Sequence, residues 1–364
     1  MASRPLLSAA SALAKRLRSL HSASQRYTHQ SFLLENRRAI EYCLARGWVP
    51  RTLILGEDEY SKLRGMTQET NPKSFEVWKS CLSSAILASA PAIVKISQAS
   101  TPSGYIAEFP IPPNIRRIVP GERGSGKQNK GDGGGTQSRT NATERHPDQT
   151  TSDLSDIPLE CTVATDSALP PDQESLRELE TSVDWTQGGV ILDNVKDPAN
   201  VGTLLRSGAV FGFRQVITLE CADILSYKVA QATVGALADL KIVSTTTPLL
   251  HSLIRTKRKE SPTYPNIAAL VIEGGVDIDT WAAQQYDSAS GSTRRAANQP
   301  WIVVGSEAHG ISKEVLELCT SKVTIPMIGN TFDGTDSNVG SLNANTAGSL
   351  AMYLMMRARM SKRQ

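Results

Sequence analysis

Trp301-Ile302-Val303-Val304, followed at once by Gly305-Ser306-Glu307-Ala308-His309-Gly310, decides the fold. Four consecutive apolar residues read as a fully buried strand, and the glycine-bracketed run after them as a tight turn. Ile311, Val315 and Leu318 then keep helical spacing. Val323-Thr324-Ile325-Pro326-Met327 reads as a second strand, its proline suited to an end or an edge. A polar loop, 328–340, leads to Ser341-Leu342-Asn343, and from Ala344 to Arg357 the Ala, Leu and Met content predicts a helix. Strand, glycine turn, helix, strand, polar loop, helix is the plan of a small-molecule site at the edge of a parallel sheet.

About a hundred residues upstream stands a second unit of the same kind. Val190-Ile191-Leu192-Asp193 reads as a strand, and Asp197-Pro198-Ala199-Asn200 as the turn into a helix. There Pro198 fixes φ and Asp197 is placed to cap. Val201, Leu204, Leu205 and Gly208 fall at i, i+3, i+4 and i+7, a buried helical face. Gly212 ends the helix and Gln215 to Leu219 is the next strand. Asn200 sits at the helix mouth and Arg206 almost two turns further on. A surface arginine in a salt bridge is the commoner fate of such a residue; its spacing from Asn200, together with its place in the motif resemblance given next, favours a functional one.

These three stretches, in this order, resemble the three motifs of the SpoU (TrmH-like) ribose 2'-O-methyltransferases of the SPOUT class. The resemblance implies an α/β fold: a C-terminal parallel-sheet domain with a deep trefoil knot, over residues 183–364. It implies that Asn200, Arg206, Glu307, Ser341 and Asn343 are the catalytic and site-forming residues. Gly305, Ile325 and Leu342 match positions where the family holds S-adenosylmethionine, largely through main-chain groups. Glycine at 305 admits close backbone approach, and Ile325 and Leu342 offer apolar walls. No Gly-x-Gly-x-x-Gly follows a first strand, which disfavours a dinucleotide-type methyltransferase fold. The reaction so implied is an in-line displacement at a sulfonium methyl, which needs no metal. The family proposal of arginine as general base conflicts with a guanidinium that stays protonated; stabilising a developing alkoxide or a phosphate suits Arg206 better. Glu307 is placed to buttress Arg206 or the glycine turn, and His309 reads as a variable surface residue. Three positions depart from the family pattern: the long 328–340 loop, Ala344 and Asn345 after Asn343, and Gln231 where relatives have an arginine, a change expected to touch RNA contact.

From about Ser31 to residue 120 the chain reads as a small α/β unit. Glu35 to Ala45 is helical, Arg51 to Leu55 and Ala92 to Ile96 are strands, and Thr101-Pro102-Ser103-Gly104 turns into a last strand. This order is similar to the L30e-like domain with which many family members grip RNA; any small α/β domain is the alternative. Residues 121–182 read as a linker, because from Gly121 to roughly Asp156 almost no large apolar residue occurs. Within it Gly121 to Lys127 mimics a phosphate loop, but Gln128 stands where the metal-binding hydroxyl belongs. Asn141-Ala142-Thr143 is a glycosylation sequon in form only.

Residues 1–28 carry Arg4, Lys15, Arg16, Arg18 and Arg26 among Ala, Ser and Leu, with no acid before Glu35. That is the composition of a mitochondrial transit peptide, and it places the protein in the matrix; an ordinary disordered N-terminus is the alternative. The net charge is only +3, so a basic surface must be local, and Arg255-Thr256-Lys257-Arg258-Lys259, read as a loop, is one source of phosphate contacts. Five scattered cysteines without a Cys-x-x-Cys pair argue against zinc or a disulfide framework. No apolar run approaches a membrane span. Taken with the resemblance, the expected partners are RNA, mitochondrial large-subunit rRNA first, and a second copy of the chain in a homodimer. Transfer RNA as substrate, or a catalytically silent RNA-binding assembly factor, are the alternatives.

Overall fold

The computed structural model describes residues 6–66, 72–121, 171–261, 265–286, 299–327 and 341–361. The sequon, the phosphate-loop mimic beyond Gly121 and the 328–340 loop lie outside the described residues.

The N-terminal unit runs α1 (Ala12–Ser19), α2 (Ala23–His29), β1 (Ser31–Leu34), α3 (Arg37–Ala45), β2 (Thr52–Leu55), α4 (Glu57–Arg64), α5 (Pro72–Leu82), β3 (Ile86–Leu87), α6 (Ala90–Ile96) and β4 (Tyr105–Pro110). Its four strands form a mixed sheet in the order β1-β4-β2-β3. One expected strand, Ala92–Ile96, is instead the helix α6. Pro91 sits in its first turn, and Ala92, Ile93 and Ile96 are buried while Val94 is exposed, a helical rather than an alternating pattern.

The C-terminal unit comprises β5 (Ile115–Ile118), α7 (Gln173–Ser182), β6 (Gly189–Asp193), α8 (Pro198–Phe211), β7 (Gln215–Leu219), α9 (Tyr227–Thr233), β8 (Lys241–Thr245), α10 (Thr247–Glu260), β9 (Ile267–Leu270), β10 (Val276–Asp277), α11 (Ile278–Tyr286), β11 (Trp301–Val304), α12 (Lys313–Leu316), β12 (Ser321–Thr324) and α13 (Ala344–Ser361). Its eight strands lie in the order β10-β12-β9-β11-β6-β7-β8-β5, every pair parallel. Both faces are covered, which is why the central strands are continuously apolar. Val190, Leu192, Ile302 and Val304 face one core cluster; Ile191, Trp301 and Val303 face the other. Fully burying side chains of this size stabilises by roughly 1.5–3 kcal/mol each, so the four central strands are the sheet's main anchor.

Three expected boundaries move. β5 lies in the stretch assigned to the first unit, yet it pairs with β8 at the edge of the large sheet. The last part of the expected linker is helix α7, with Leu179 buried against that sheet. Residues 255–259 belong to α10 rather than to a loop; Lys257 pairs with Glu180 at 2.9 Å, and Arg258 donates to the carbonyl of Leu318.

Within residues 6–28 the structure adds contacts that the sequence reading did not anticipate. Far from standing apart, α1 packs on α6 and buries Ala14, Leu17 and Leu20 in the core. Arg16 makes two 2.7 Å hydrogen bonds to the carboxylate of Glu108, itself buried in β4. Arg26 is buried too, donating to the carbonyls of Leu20 and His21 and to Asp223 of the other unit. Arg16 and Arg26, two of the residues that suggested a leader, are therefore held in the fold. Around α9 the two units are joined further: Gln231 donates to the carbonyl of Glu35, and Arg46 meets Asp239 at 2.8 Å. Gln231 thus holds the units together at the place where an RNA contact was expected.

Candidate active site

The parallel strands β9, β11 and β12 end at one edge, and an open cleft lies beyond them. Small-molecule sites in such sheets lie beyond the carboxyl ends of the strands. Leu270, Val271 and Ile272 form one wall; Ile325, Met327 and Leu342 form another. Gly305, Ser306, Glu307 and Ser341 supply its polar side.

The turn after β11 closes on itself: Ser306 and Gly310 exchange two backbone hydrogen bonds of 2.9 Å. A Cβ on Gly305 would lie 2.3 Å from the backbone carbon and oxygen of Gly310, so only glycine permits this closure. Buried Asp193, at the end of β6, accepts the N–H of Ser312 at 2.6 Å and pins the far side of the turn. In consequence Glu307 is presented from a rigid support.

The Glu307 carboxylate gathers the three motifs. Its Oε1 accepts the side-chain N–H groups of both Asn200 and Asn343. Asn200 is buried in the first turn of α8, where Asp197 caps by accepting the N–H of Ala199 at 3.0 Å. Asn343 precedes α13, and its Oδ1 accepts the N–H of Asn345 at 2.9 Å, so the same side chain caps that helix. Asn345, a departure from the family pattern, accepts at 3.3 Å from Ser349, which meets Ser207 of α8 at 2.7 Å.

Of the residues expected from sequence, Asn200, Glu307 and Asn343 are hydrogen-bonded together, and Gly305, Ile325, Ser341 and Leu342 line the cleft beside them. Arg206 does not join them. It is exposed on α8, six residues past Asn200, which on a helix is about 9 Å along the axis and on another face. His309 is exposed on the turn and is not a wall of the cleft. The β9 wall and Asp193 were missed. Ile267 to Ile272, an apolar run between Asn266 and Glu273-Gly274, carried the signal for the wall; nothing local marks Asp193. Among the described residues no group of three or more His, Cys, Asp or Glu is placed to hold a metal ion, and no helix is long and apolar enough to cross a membrane.

Fold and site together define a parallel-sheet α/β protein with a polar, asparagine-held carboxylate at the mouth of an apolar cleft. Residues 189–353 match the sequence model of the SpoU rRNA Methylase family. A Staphylococcus haemolyticus protein assigned to the TrmH family of tRNA/rRNA methyltransferases is 31% identical over 172 residues, 47% of this chain and 58% of the relative. The chain therefore aligns with little more than half the length of that relative. Among solved structures, a TrmH-family protein assigned as an RNA methyltransferase from Porphyromonas gingivalis superposes with a TM-score of 0.58 at 21% identity, covering 97% of this chain and 99% of the other. The SpoU methyltransferase AviRb of Streptomyces viridochromogenes, solved in complex with AdoMet, gives 0.59 at 18% identity over 96% and 100%. At such identity these two establish the fold alone.

Proposed function

We propose that the protein transfers a methyl group from S-adenosylmethionine to a ribose 2'-hydroxyl of RNA, with mitochondrial large-subunit rRNA as substrate. The observation that carries this reading is the junction at Glu307, where three separate chain segments meet on one carboxylate oxygen beside an apolar cleft. The residues present fit the methyl donor. Leu270, Ile325 and Leu342 would hold a flat apolar base, and the Gly305 turn brings bare backbone to its side. When bound, the donor supplies a sulfonium methyl that a single oxygen displaces in line. The protein contributes alignment of the two reactants and exclusion of water from the cleft.

A homodimer belongs to this proposal. Val210, Leu350, Tyr353 and Met360 are exposed on α8 and α13, which are joined by the Ser207–Ser349 bond and a Phe211–Tyr353 ring contact of 5.8 Å. Arg206 and Val210, one turn apart, share that strip. A second copy docking there would cover the apolar side chains and bring Arg206 to its partner's cleft, where it faces the developing charge or a phosphate. The trefoil knot is proposed with it, supported by the β12-β9-β11-β6 order and the return of α13 over α8.

For location we propose the mitochondrial matrix, on the arginine-studded, acid-free start. Because Arg16 and Arg26 are built into the fold, removal of residues 1–28 forms no part of it. A reporter fused after residue 30 that stays cytosolic overturns the location. The activity is tested by mapping ribose methylation in mitochondrial rRNA and tRNA with and without the gene. Loss of one rRNA methyl group is the expected result; loss from tRNA alone moves the substrate, and no loss removes the enzymatic reading.

A further inference from the structure

We propose that Glu307, through its Oε2 atom, accepts the proton of the attacking 2'-hydroxyl; this rests on the methyltransferase reading above. Among the fourteen described residues that line the cleft, Glu307 has the only ionisable side chain. Both asparagine amides are donated to Oε1, and among the described residues nothing donates to Oε2. An ionised carboxylate has about four lone-pair sites, so two amides on one oxygen fix its plane and leave the second oxygen open.

The other ionisable groups assigned to the site or beside it are less suited. Arg206 is exposed on α8, away from this cluster, and a guanidinium does not give up its proton in a protein. His309 lies on the outside of the turn and does not line the cleft. Asn200, Asn343 and Ser341 are neutral. The double amide clamp gives Glu307 a defined orientation without a salt bridge. No Lys or Arg among the described residues pairs with it, so no fixed cation competes with an incoming proton.

The step balances as follows. A lone pair of the 2'-oxygen forms the new O–C bond as the S–C bond breaks, and that pair stays on sulfur, turning sulfonium into thioether. The O–H pair remains on oxygen in the ether, and the proton passes to Glu307 Oε2, from which water removes it after product release. The carboxylate need not ionise a free hydroxyl. It takes the proton as the oxygen becomes acidic on bonding to the methyl group, which is general-base catalysis within one transition state.

Glu307→Gln is the test. Its amide oxygen can still accept from Asn200 and Asn343, while an NH2 group replaces Oε2 and cannot take a proton. Binding of S-adenosylhomocysteine is measured by calorimetry, melting temperature by calorimetric scan, and methyl transfer by single turnover on the RNA that the wild type methylates. The expected result is product affinity within about threefold, an unchanged melting temperature, and a transfer rate down by ~100-fold or more, as loss of a general base gives. A variant rate within about tenfold of wild type overturns the assignment. So does a rate loss accompanied by lost product binding or a lower melting temperature, which would make Glu307 a structural prop. Wild type that binds S-adenosylhomocysteine but methylates no RNA overturns the methyltransferase reading instead, and this inference with it.

Discussion

The side-chain amide of Asn343 donates to Glu307, 36 residues earlier in the chain. At the same time its oxygen accepts the N–H of Asn345 at the start of α13. One side chain thus couples the carboxylate at the cleft to a helix end.

Asn343→Ala removes both functions. Loss of an N-cap oxygen costs about 0.5–2 kcal/mol, so the melting temperature falls modestly. Glu307 loses one of its two donors, and both donor affinity and methyl-transfer rate fall. Asn200→Ala removes the other donor. Because both amides act on one oxygen, the double variant should depart from additivity by about 0.5–3 kcal/mol in a cycle read on S-adenosylhomocysteine affinity. Strict additivity would show that the two amides do not act through a shared carboxylate.

Gly305→Ala tests the turn. The added methyl meets backbone atoms of Gly310 at 2.3 Å, and backbone cannot swing aside as a long side chain can. The turn must shift, carrying Glu307 away from both asparagines. Overpacking of this kind costs about 1–3 kcal/mol. The expected readout is loss of S-adenosylhomocysteine binding larger than the loss of stability; unchanged binding would mean the closure of the turn is irrelevant to the cleft.

The C-terminal unit was legible because its signals are local. Buried strands of a parallel sheet are continuous apolar runs, and Asp197-Pro198 and Gly212 mark the ends of α8. The packing of the N-terminal start was not legible because two of its arginines pair with acids far away in sequence: Glu108 lies 92 residues from Arg16, and Asp223 lies 197 from Arg26. Composition sees basic residues without acids and cannot see a buried partner. The stretch that forms β5 was included in the first unit for the same reason, since its partner β8 follows more than a hundred residues later. Ala92 to Ile96 is a short apolar run, for which periodicity does not separate strand from helix; Pro91 was the neglected signal. Asn200, Glu307 and Asn343 came from the resemblance of their motifs to the family, but the exposure of Arg206 needed the helix phase against a cleft that only the fold defines.

The Arg16–Glu108 pair carries a stability prediction. Burial raises the Glu108 pKa, but hydrogen bonds from Arg16, Thr52 and Ser31 outweigh it and hold the carboxyl below its usual range. The stability this supplies is full above the unfolded glutamate value of about 4.3 and is lost as pH falls through the lower folded value. Arg16→Met leaves Glu108 with Thr52 and Ser31 alone. Arg16 is partly exposed, so the discounted loss is about 1.5–2 kcal/mol at pH 7. The gap to wild type should close as pH drops well below 4.3, as read from urea midpoints across pH 3–7. A gap that is already absent at pH 7 would mean that the Arg16–Glu108 pair adds nothing to the hold on α1.

Arg206 supplies the last prediction, because its position separates two architectures. If it acts within its own chain, α8 must rotate or bend to bring it to Glu307; if it acts across a dimer, the exposed position is the working one. Arg206→Ala should lower turnover while leaving S-adenosylhomocysteine affinity nearly unchanged, since the lost interaction forms mainly in the transition state. Now co-express differently tagged Arg206→Ala and Asn343→Ala chains and purify through both tags. In a mixed dimer with arginines acting across the interface, one site has its own Asn343 and receives Arg206 from the partner, whereas the other site has neither. Half of the sites in doubly tagged material are then intact, and random mixing without the second tag would leave about a quarter of wild-type activity. If Arg206 acts within its own chain, each site of the mixed dimer lacks one group and activity stays at the level of the single variants. Recovery in the doubly tagged fraction thus establishes both the dimer and the sharing of Arg206, and its absence from material shown to be dimeric removes the shared-site part of the proposal.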